Sequence, residues 1–310
     1  MATTASPPPT TAAFPSSTAS RPRIAIEPTR STMAASRSAL LALILRDLVV
    51  LWKNKWEFVI RTLVQPFLLV FVFLYVFPTI GQGIGGGGTG GGAAARASES
   101  EFATVLVAGV VGISIMFQGI QAVAMVMAQE FGYTREIEDR VQAPCPIWLV
   151  AVAKVLSGAT QGLIAALIVF PIAAIIHAKG VEAHLSVHWA VVLTLIPLAC
   201  VTMTSLGLLL GTVFEARNLG LMFGFVVLPL TFLGGTYYQW TKLSPVQLDG
   251  VHWLQILVLI NPLIYVTEGM RAGLTHASHM HLYIIYPVLI GFCATFLTLG
   301  LRKFSGRVLS

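Results

Sequence analysis

Long apolar runs constrain the fold of this chain more than any other feature of its sequence. An α-helix needs roughly 20 apolar residues to cross the hydrocarbon core of a bilayer, and six runs come near or exceed that length. These candidate spans lie at about 62–79, 102–128, 147–176, 189–213, 219–238 and 281–301. Only 10% of the residues are charged, against roughly 25% in soluble domains. The sequence therefore predicts an all-α, polytopic membrane protein with six transmembrane helices.

The N-terminal segment differs in composition from the rest of the chain. It is rich in Pro, Ser, Thr and Ala, and its first thirty residues contain no apolar run of the kind that a signal peptide requires. Such a segment can bury too little apolar area to offset the entropy lost on ordering it. We therefore expect a disordered cytoplasmic tail at 1–35 and a transmembrane domain at 36–310.

A segment of mixed character precedes the first span. Residues 38–61 combine leucine and isoleucine with Arg46, Asp47 and other charges, and they include Trp52 and Trp56. Burial of Arg46 and Asp47 in the hydrocarbon core would be unfavourable, whereas tryptophan prefers the head-group region. The pattern predicts an amphipathic helix that lies in the membrane interface.

The distribution of basic residues predicts the orientation. If both termini are cytoplasmic, four of the 19 Lys and Arg residues lie outside, and the other 15 lie inside. The four outer residues are Arg96, Lys179, Lys242 and Arg271. Cytoplasmic loops of membrane proteins carry such an excess of positive charge. Because the basic residues flank apolar segments, their expected partner is membrane lipid rather than nucleic acid.

The segment between Tyr237 and His281 lacks a run long enough to span. Its apolar stretch, Val251 to Ile260, is short and ends at Asn261-Pro262. Backbone outside a spanning helix is tolerated at membrane depth only where protein covers it. We expect a re-entrant helical hairpin on the extracellular side, before the last span.

Charged residues concentrate between the second and third candidate spans. The set comprises Glu130, Arg135, Glu136, Glu138, Asp139 and Arg140. Pro144 and Pro146 would end a helix here before the next span begins. A short charged helix at this place can dock in a groove of a soluble partner and move as a rigid body. An ordinary solvated loop would have the same composition.

A second polar group falls within the expected hairpin. Glu268 and Arg271 are three residues apart, so they share a helical face and can form an ion pair. Together with Asn261, Pro262 and Tyr265, they are candidates for an outer gate. The alternative is a purely structural salt bridge.

Few polar residues lie inside the spans. Gln118 and Gln121 share a helical face and carry no charge. They either line a transport path or form hydrogen bonds between helices, and the second role is favoured. No Asp, Glu, Lys or Arg falls clearly in mid-span, which argues against a proton or sodium relay.

Motifs for catalysis or metal binding are absent from the sequence. It contains no P-loop, nucleophile elbow, metalloprotease pattern or kinase signature. All seven histidines fall on the outer side in the predicted topology, and no complete ligand set accompanies them. The spacing of Cys145, Cys200 and Cys293 indicates neither a disulfide framework nor a metal site. We expect a chain without catalytic activity, metal or cofactor of its own.

Three motifs follow one another along this scaffold. The first consists of Arg46-Asp47-Leu48, Lys53-Asn54-Lys55 and Gln65-Pro66. The second is the charged run from Arg135 to Pro144, followed by Lys154. The third consists of Gly234-Gly235-Thr236-Tyr237-Tyr238 and the run from Asn261 to Arg271. In this order they resemble the ABC-2 family of transporter permeases, and in particular exporters of the daunorubicin-resistance type.

The resemblance implies a permease that pairs with a second permease, identical or homologous, and with two ATPase subunits that bind ATP and Mg²⁺. It assigns coupling to those subunits to the charged set between spans two and three. The implied cargo is an amphipathic or hydrophobic compound such as a drug, an antibiotic or a lipid, exported across a bacterial cell membrane. One alternative is a polysaccharide or teichoic-acid exporter, which would line its channel with aromatic residues. Another is an ATP-independent secondary transporter or channel.

Overall fold

The computed structural model describes residues 32–80, 93–134, 146–176, 185–246 and 252–309. Within these ranges all regular elements are helices. The first four are α1 (Thr32–Lys53), α2 (Lys55–Thr79), α3 (93–134) and α4 (Ile147–Ile175). Helix α3 starts as Ala93–Ile120 and continues through Gln121–Met125 and Val126–Gln129 to Glu130–Thr134. The others are α5 (Trp189–Val213), α6 (Ala216–Phe232), α7 (Trp253–Val258), α8 (Pro262–Leu274) and α9 (Leu282–Leu309). The all-helical prediction is confirmed for this part of the chain.

Five of these helices are long and apolar enough to cross a bilayer. They are Lys55–Thr79, Ser100–Gly132, Ile147–Ile175, Trp189–Val213 and Leu282–Val308. The fifth candidate span, predicted at 219–238, corresponds to the shorter helix α6. The chain leaves the helix after Phe232, and Gly235 takes a left-handed backbone conformation with φ of 66°. The six-span count therefore stays a prediction.

The N-terminal region is divided at Asn54. The predicted interfacial helix at 38–61 appears as α1, whereas residues from Lys55 onwards belong to the spanning helix α2. Trp52 and Trp56 flank the division and are both exposed. Helix α1 begins at Thr32, four residues before the predicted start of the transmembrane domain. The rest of the predicted tail, residues 1–31, lies outside the described residues.

Helix α3 is the centre of the molecule. Its alanine-, glycine- and valine-rich stretch from 103 to 116 is buried, and it packs against α4, α5 and α8. Most of α2 and α9 stays exposed despite its apolar composition. In water such a surface would be unfavourable, but lipid chains are as apolar as the side chains that face them. The fold is therefore arranged as a membrane-embedded bundle around one buried helix.

Two short helices, α7 and α8, occupy the place of the expected hairpin. All residues of α8, from Pro262 to Leu274, are buried between α3, α5 and α9. Asn261 caps its first turn, because the Asn261 side chain accepts a hydrogen bond from the Leu263 backbone N–H at 2.9 Å. Protein thus covers the short helix α8, as membrane depth would require. Its re-entrant position in a bilayer stays a prediction.

Candidate functional site

The third sequence motif folds into a compact polar group that we call the Arg271 cluster. It consists of Gly235, Thr236, Trp240, Glu268 and Arg271. The first three come from the turn after α6, and the last two from the buried helix α8. Residues that are about 30 positions apart in sequence are therefore brought into direct contact.

Glu268 and Arg271 form an ion pair inside this cluster, and both side chains are 0% exposed. The Arg271 Nη1 donates to Glu268 Oε1 at 2.8 Å, and its Nη2 donates to the carbonyl oxygen of Gly235. Glu268 also accepts from the backbone N–H of Trp240 at 2.8 Å and from that of Met280 at 2.9 Å. Removing a guanidinium from water disfavours its charge, and the paired, hydrogen-bonded carboxylate offsets this penalty.

Asn261, Pro262 and Tyr265 hold the beginning of α8. The Asn261 Nδ2 donates to the carbonyl oxygen of Leu230 in α6 at 2.7 Å. Pro262 stands at the first helical position, where a backbone N–H has no acceptor within the helix, so its absence in proline costs no hydrogen bond. The Tyr265 hydroxyl donates to the carbonyl oxygen of Leu259 at 3.0 Å. Asn261 therefore fixes the beginning of α8 to α6, and Tyr265 fixes it to the turn after α7.

Glycines on α3 let the central helix approach this group closely. A Cβ atom at Gly109 would overlap the backbone carbonyl of Thr236, and one at Gly112 would lie 2.8 Å from the Thr267 methyl carbon. Thr267 in turn donates to the carbonyl oxygen of Gly234 at 2.7 Å. The cluster therefore packs directly against α3, the most buried of the five helices that are long enough to cross a bilayer.

Gln118 links three helices within the bundle. Its Oε1 accepts from Thr62 Oγ1 of α2 at 3.1 Å, and its Nε2 donates to Gln161 Oε1 of α4 at 3.2 Å. Gln121 is half-buried and begins the wider turn at Gln121–Met125. The structure places Gln118 in a contact between helices, as glutamine is often used in membranes.

Glu130 is the member of the predicted coupling set that lies within the described residues. It is buried, and its Oε1 lies 2.7 Å from Lys154 Nζ on α4. The other predicted coupling residues, Arg135, Glu136, Glu138, Asp139 and Arg140, lie outside the described part of the chain. The ion pair therefore joins the last turn of α3 to the first turns of α4, on either side of residues 135–145.

A cleft that we call the elbow cleft opens beside this pair, where α1 meets α2. It has a volume of about 400 Å³, and α3 and α4 form its inner wall. Its charged lining residues are Arg46, Asp47, Glu57, Arg61, Glu130 and Lys154. Ser157 and Gln161 extend the polar wall towards the Gln118 contacts.

Several contacting residues were not predicted from the sequence. Trp240 and Met280 act through backbone N–H groups, which carry no side-chain signal. Gly207 and Gly211, where α5 crosses α3, could have been found, since glycines four residues apart are typical of close helix packing in membranes. Among the described residues no group of three His, Cys, Asp or Glu could hold a metal ion; His177 and His184 are not among them.

Comparison with known proteins gives a consistent result. A family model described as ABC-2 type transporter matches residues 38–275. The chain is also similar to the inner membrane transport permease YadH of Escherichia coli K12, with 30% identity over 189 residues, which is 60% of this chain and 69% of that protein. The protein of the same name from Shigella flexneri is similar to the same extent. The range matched by the family model includes the Arg271 cluster, the Glu130–Lys154 pair and the elbow cleft.

Proposed function

The chain belongs to the ABC-2 type transporter family, and we propose that it carries an amphipathic or hydrophobic compound out of a bacterial cell. As a family member it is a non-catalytic transport permease that works with a separate ABC ATPase. It is a multi-pass protein of the bacterial inner membrane, as the name of the similar YadH and the apolar helices indicate. ATP and Mg²⁺ would bind to the ATPase rather than to this chain.

The buried ion pair between Glu130 and Lys154 is the observation that most supports a coupled permease. It connects α3 and α4 at the two ends of residues 135–145, the segment that carries most of the predicted coupling charges. Less than a tenth of either side chain is exposed, and breaking such a pair costs about 3–5 kcal/mol. A movement imposed on residues 135–145 would therefore be passed to both helices together. In this mechanism, ATP-driven closure of the ATPase subunits displaces the segment and tilts α3 and α4.

We further propose that two permease copies, identical or homologous, enclose the transport path. Within one copy the centre is filled by α3, whereas α2 and α9 are largely uncovered. A path between two copies would use faces that a single copy leaves exposed. The Arg271 cluster would then fix the outer end of the bundle, where the cargo leaves. Both termini would lie in the cytoplasm.

The exposed apolar faces near the proposed path support this cargo class. Leu68 of α2 and Ile290 and Leu299 of α9 are all exposed. The described part of α2 beyond Arg61 carries no charged side chain. Such a surface suits a drug, an antibiotic or a lipid better than a small ion.

One observation favours the polysaccharide alternative. Phe67, Phe71 and Tyr75 stack along α2, with ring centroids 5.8 Å and 5.4 Å apart. Aromatic residues along a channel were expected of a polysaccharide or teichoic-acid exporter. Replacement of Phe71 by Leu should reduce surface polysaccharide if this alternative is right, and should leave efflux of an amphipathic dye nearly unchanged. A variant that loses dye efflux and keeps polysaccharide would instead support the amphipathic cargo.

The coupling proposal is tested on the complex of this chain with its ATPase in liposomes. We expect ATP hydrolysis to depend on the permease, and reversal of the charges at Glu138, Asp139 and Arg140 to abolish both this dependence and transport. Lys303→Glu is the control, because Lys303 is an exposed charge on α9. Normal assembly and transport by the triple variant would exclude the coupling role.

A further inference from the structure

The elbow cleft has the dimensions of a ligand site. Its volume of about 400 Å³ falls within the roughly 300–1,000 Å³ range of small-molecule pockets. It is bounded by α1 and α2 on one side and by α3 and α4 on the other. Nothing in the proposed coupling mechanism uses the open part of this cleft.

The charges of the cleft are balanced. Three cationic side chains face it, from Arg46, Arg61 and Lys154, and so do three carboxylates, from Asp47, Glu57 and Glu130. Lys154 and Glu130 form the buried pair at the inner wall. Towards the mouth, Glu57 and Arg61 are exposed and stand four residues apart on α2, so they share one helical face. The mouth therefore offers a carboxylate and a guanidinium side by side.

The tryptophans beside the cleft indicate that it lies at the level of the lipid head groups. The exposed Trp52 and Trp56 flank the junction of α1 and α2, and tryptophan side chains concentrate at the membrane–water interface. On α2, Ile60 beside the cleft and Val64 one turn further on are both exposed. An occupant of this site should therefore have a head with charges of both signs and an apolar tail.

We propose that the elbow cleft binds the head group of a zwitterionic phospholipid. The phosphate would face the Arg61 guanidinium, the ammonium would face the Glu57 carboxylate, and the acyl chains would run along Ile60 and Val64. A head group with a phosphate but no cation would leave the Glu57 carboxylate without a cationic partner and near the negative phosphate, which is unfavourable. The inference concerns a bound membrane lipid and does not depend on the cargo or on the direction of transport.

Lipid retention tests this site directly. The full chain is reconstituted in nanodiscs of equal parts phosphatidylethanolamine and phosphatidylglycerol, then extracted in mild detergent, and the retained lipids are counted by native mass spectrometry. We expect the wild type to retain phosphatidylethanolamine several-fold over phosphatidylglycerol. Glu57→Gln should bring this ratio close to equality, because the partner of the ammonium is lost, whereas Arg61→Gln should release both lipids.

Lys53→Gln is the matched control, since Lys53 is an exposed cation at the same junction that does not line the cleft. It should retain lipid like the wild type. Equal retention of the two lipids by the wild type would overturn the proposal, as would a Glu57→Gln variant with an unchanged ratio or a Lys53→Gln variant that loses lipid. Each preparation is checked by size-exclusion chromatography, and if Arg61→Gln does not fold, the Glu57→Gln ratio decides. ATPase coupling is measured in a separate experiment, so a negative result in this lipid test would not contradict the proposed permease function.

Discussion

At position 271 a guanidinium group lies fully buried in an apolar bundle, which is tolerated only with compensation on several sides. The Glu268 carboxylate neutralises its charge, and the carbonyl oxygens of Gly235 and Thr236 accept from its Nη2. The same carboxylate binds the backbone before α7 and before α9. One side-chain pair of α8 therefore binds two other chain segments, the turn after α6 and the backbone before α9.

Replacement of Glu268 by Ala should strongly destabilise the protein. The change leaves Arg271 as an uncompensated buried charge, which costs about 3–5 kcal/mol. Unfolding of the purified chain by increasing SDS in detergent micelles measures the loss. Glu215→Ala is the control, because Glu215 forms an ion pair with Arg217 at 2.6 Å but half of its side chain is exposed. That variant should change stability by less than about 1 kcal/mol; equal effects of the two substitutions would show that burial does not decide the strength of the pair.

Among the elements, the crossing of α3 and α5 shows how two helices of the bundle pack closely. Gly207 and Gly211 of α5 meet the backbone of α3 at Gly119 and Ala124. A Cβ atom at Gly207 would lie 2.8 Å from the Gly119 carbonyl oxygen, and one at Gly211 would lie 2.8 Å from the Ala124 Cα. Glycine is needed here because the two backbones approach more closely than a methyl group permits.

Gly207→Ala should therefore weaken the packing of α5 on α3. The added methyl group would force a backbone shift, and such overpacking costs about 1–3 kcal/mol. Gly220→Ala in α6 is the control, since a Cβ atom there would meet nothing within 4 Å. It should be neutral or stabilise the helix by up to about 1 kcal/mol. Thermal unfolding in detergent compares the two variants, and equal melting temperatures would contradict a tight crossing.

For the whole molecule, the number of membrane crossings decides on which side of the membrane the C terminus lies. In the described ranges five helices are long and apolar enough to span, and α6 has only 17 residues, which is about 25 Å of helix. A hydrocarbon core of about 30 Å could accommodate it by local thinning, at a modest energetic cost. With a cytoplasmic N terminus, six crossings return the C terminus to the cytoplasm, whereas five place it outside.

We predict a cytoplasmic C terminus. Of the 19 Lys and Arg residues, 15 then lie inside, as the positive-inside rule favours. A fluorescent protein fused after Ser310 should fluoresce, and alkaline phosphatase fused there should be inactive. Phosphatase fused after Lys179 serves as the control and should be active. A fluorescent protein fused after Lys179 should show only background fluorescence. If these controls behave as expected, an active phosphatase after Ser310 would indicate that α6 does not cross the membrane.

Sequence patterns predicted helices well and contacts poorly. Helices α4 and α5 begin and end within one residue of the predicted positions, because twenty apolar residues in a row are a local signal. Helix α2 begins seven residues before the predicted span and α9 ends eight residues after it, because the charged residues at those ends do not stop a helix. Glu268 and Arg271 were expected to pair for an equally local reason, their spacing on one helix. That the pair would be fully buried, and that Trp240 and Met280 would bind its carboxylate, depends on segments far apart in sequence.

The sequence alone determined that this protein is a polytopic helical membrane protein of the ABC-2 type, since hydropathy and motif order can be read residue by residue. Only the tertiary structure decided that α3 is the buried centre, that Glu130 is joined to Lys154, and that the turn after α6 closes on α8. The five candidate spans in the described part of the chain are apolar along most of their length, so composition does not show which face meets protein and which meets lipid. That choice depends on the fit between helix surfaces, where small residues permit close approach and buried polar groups require partners.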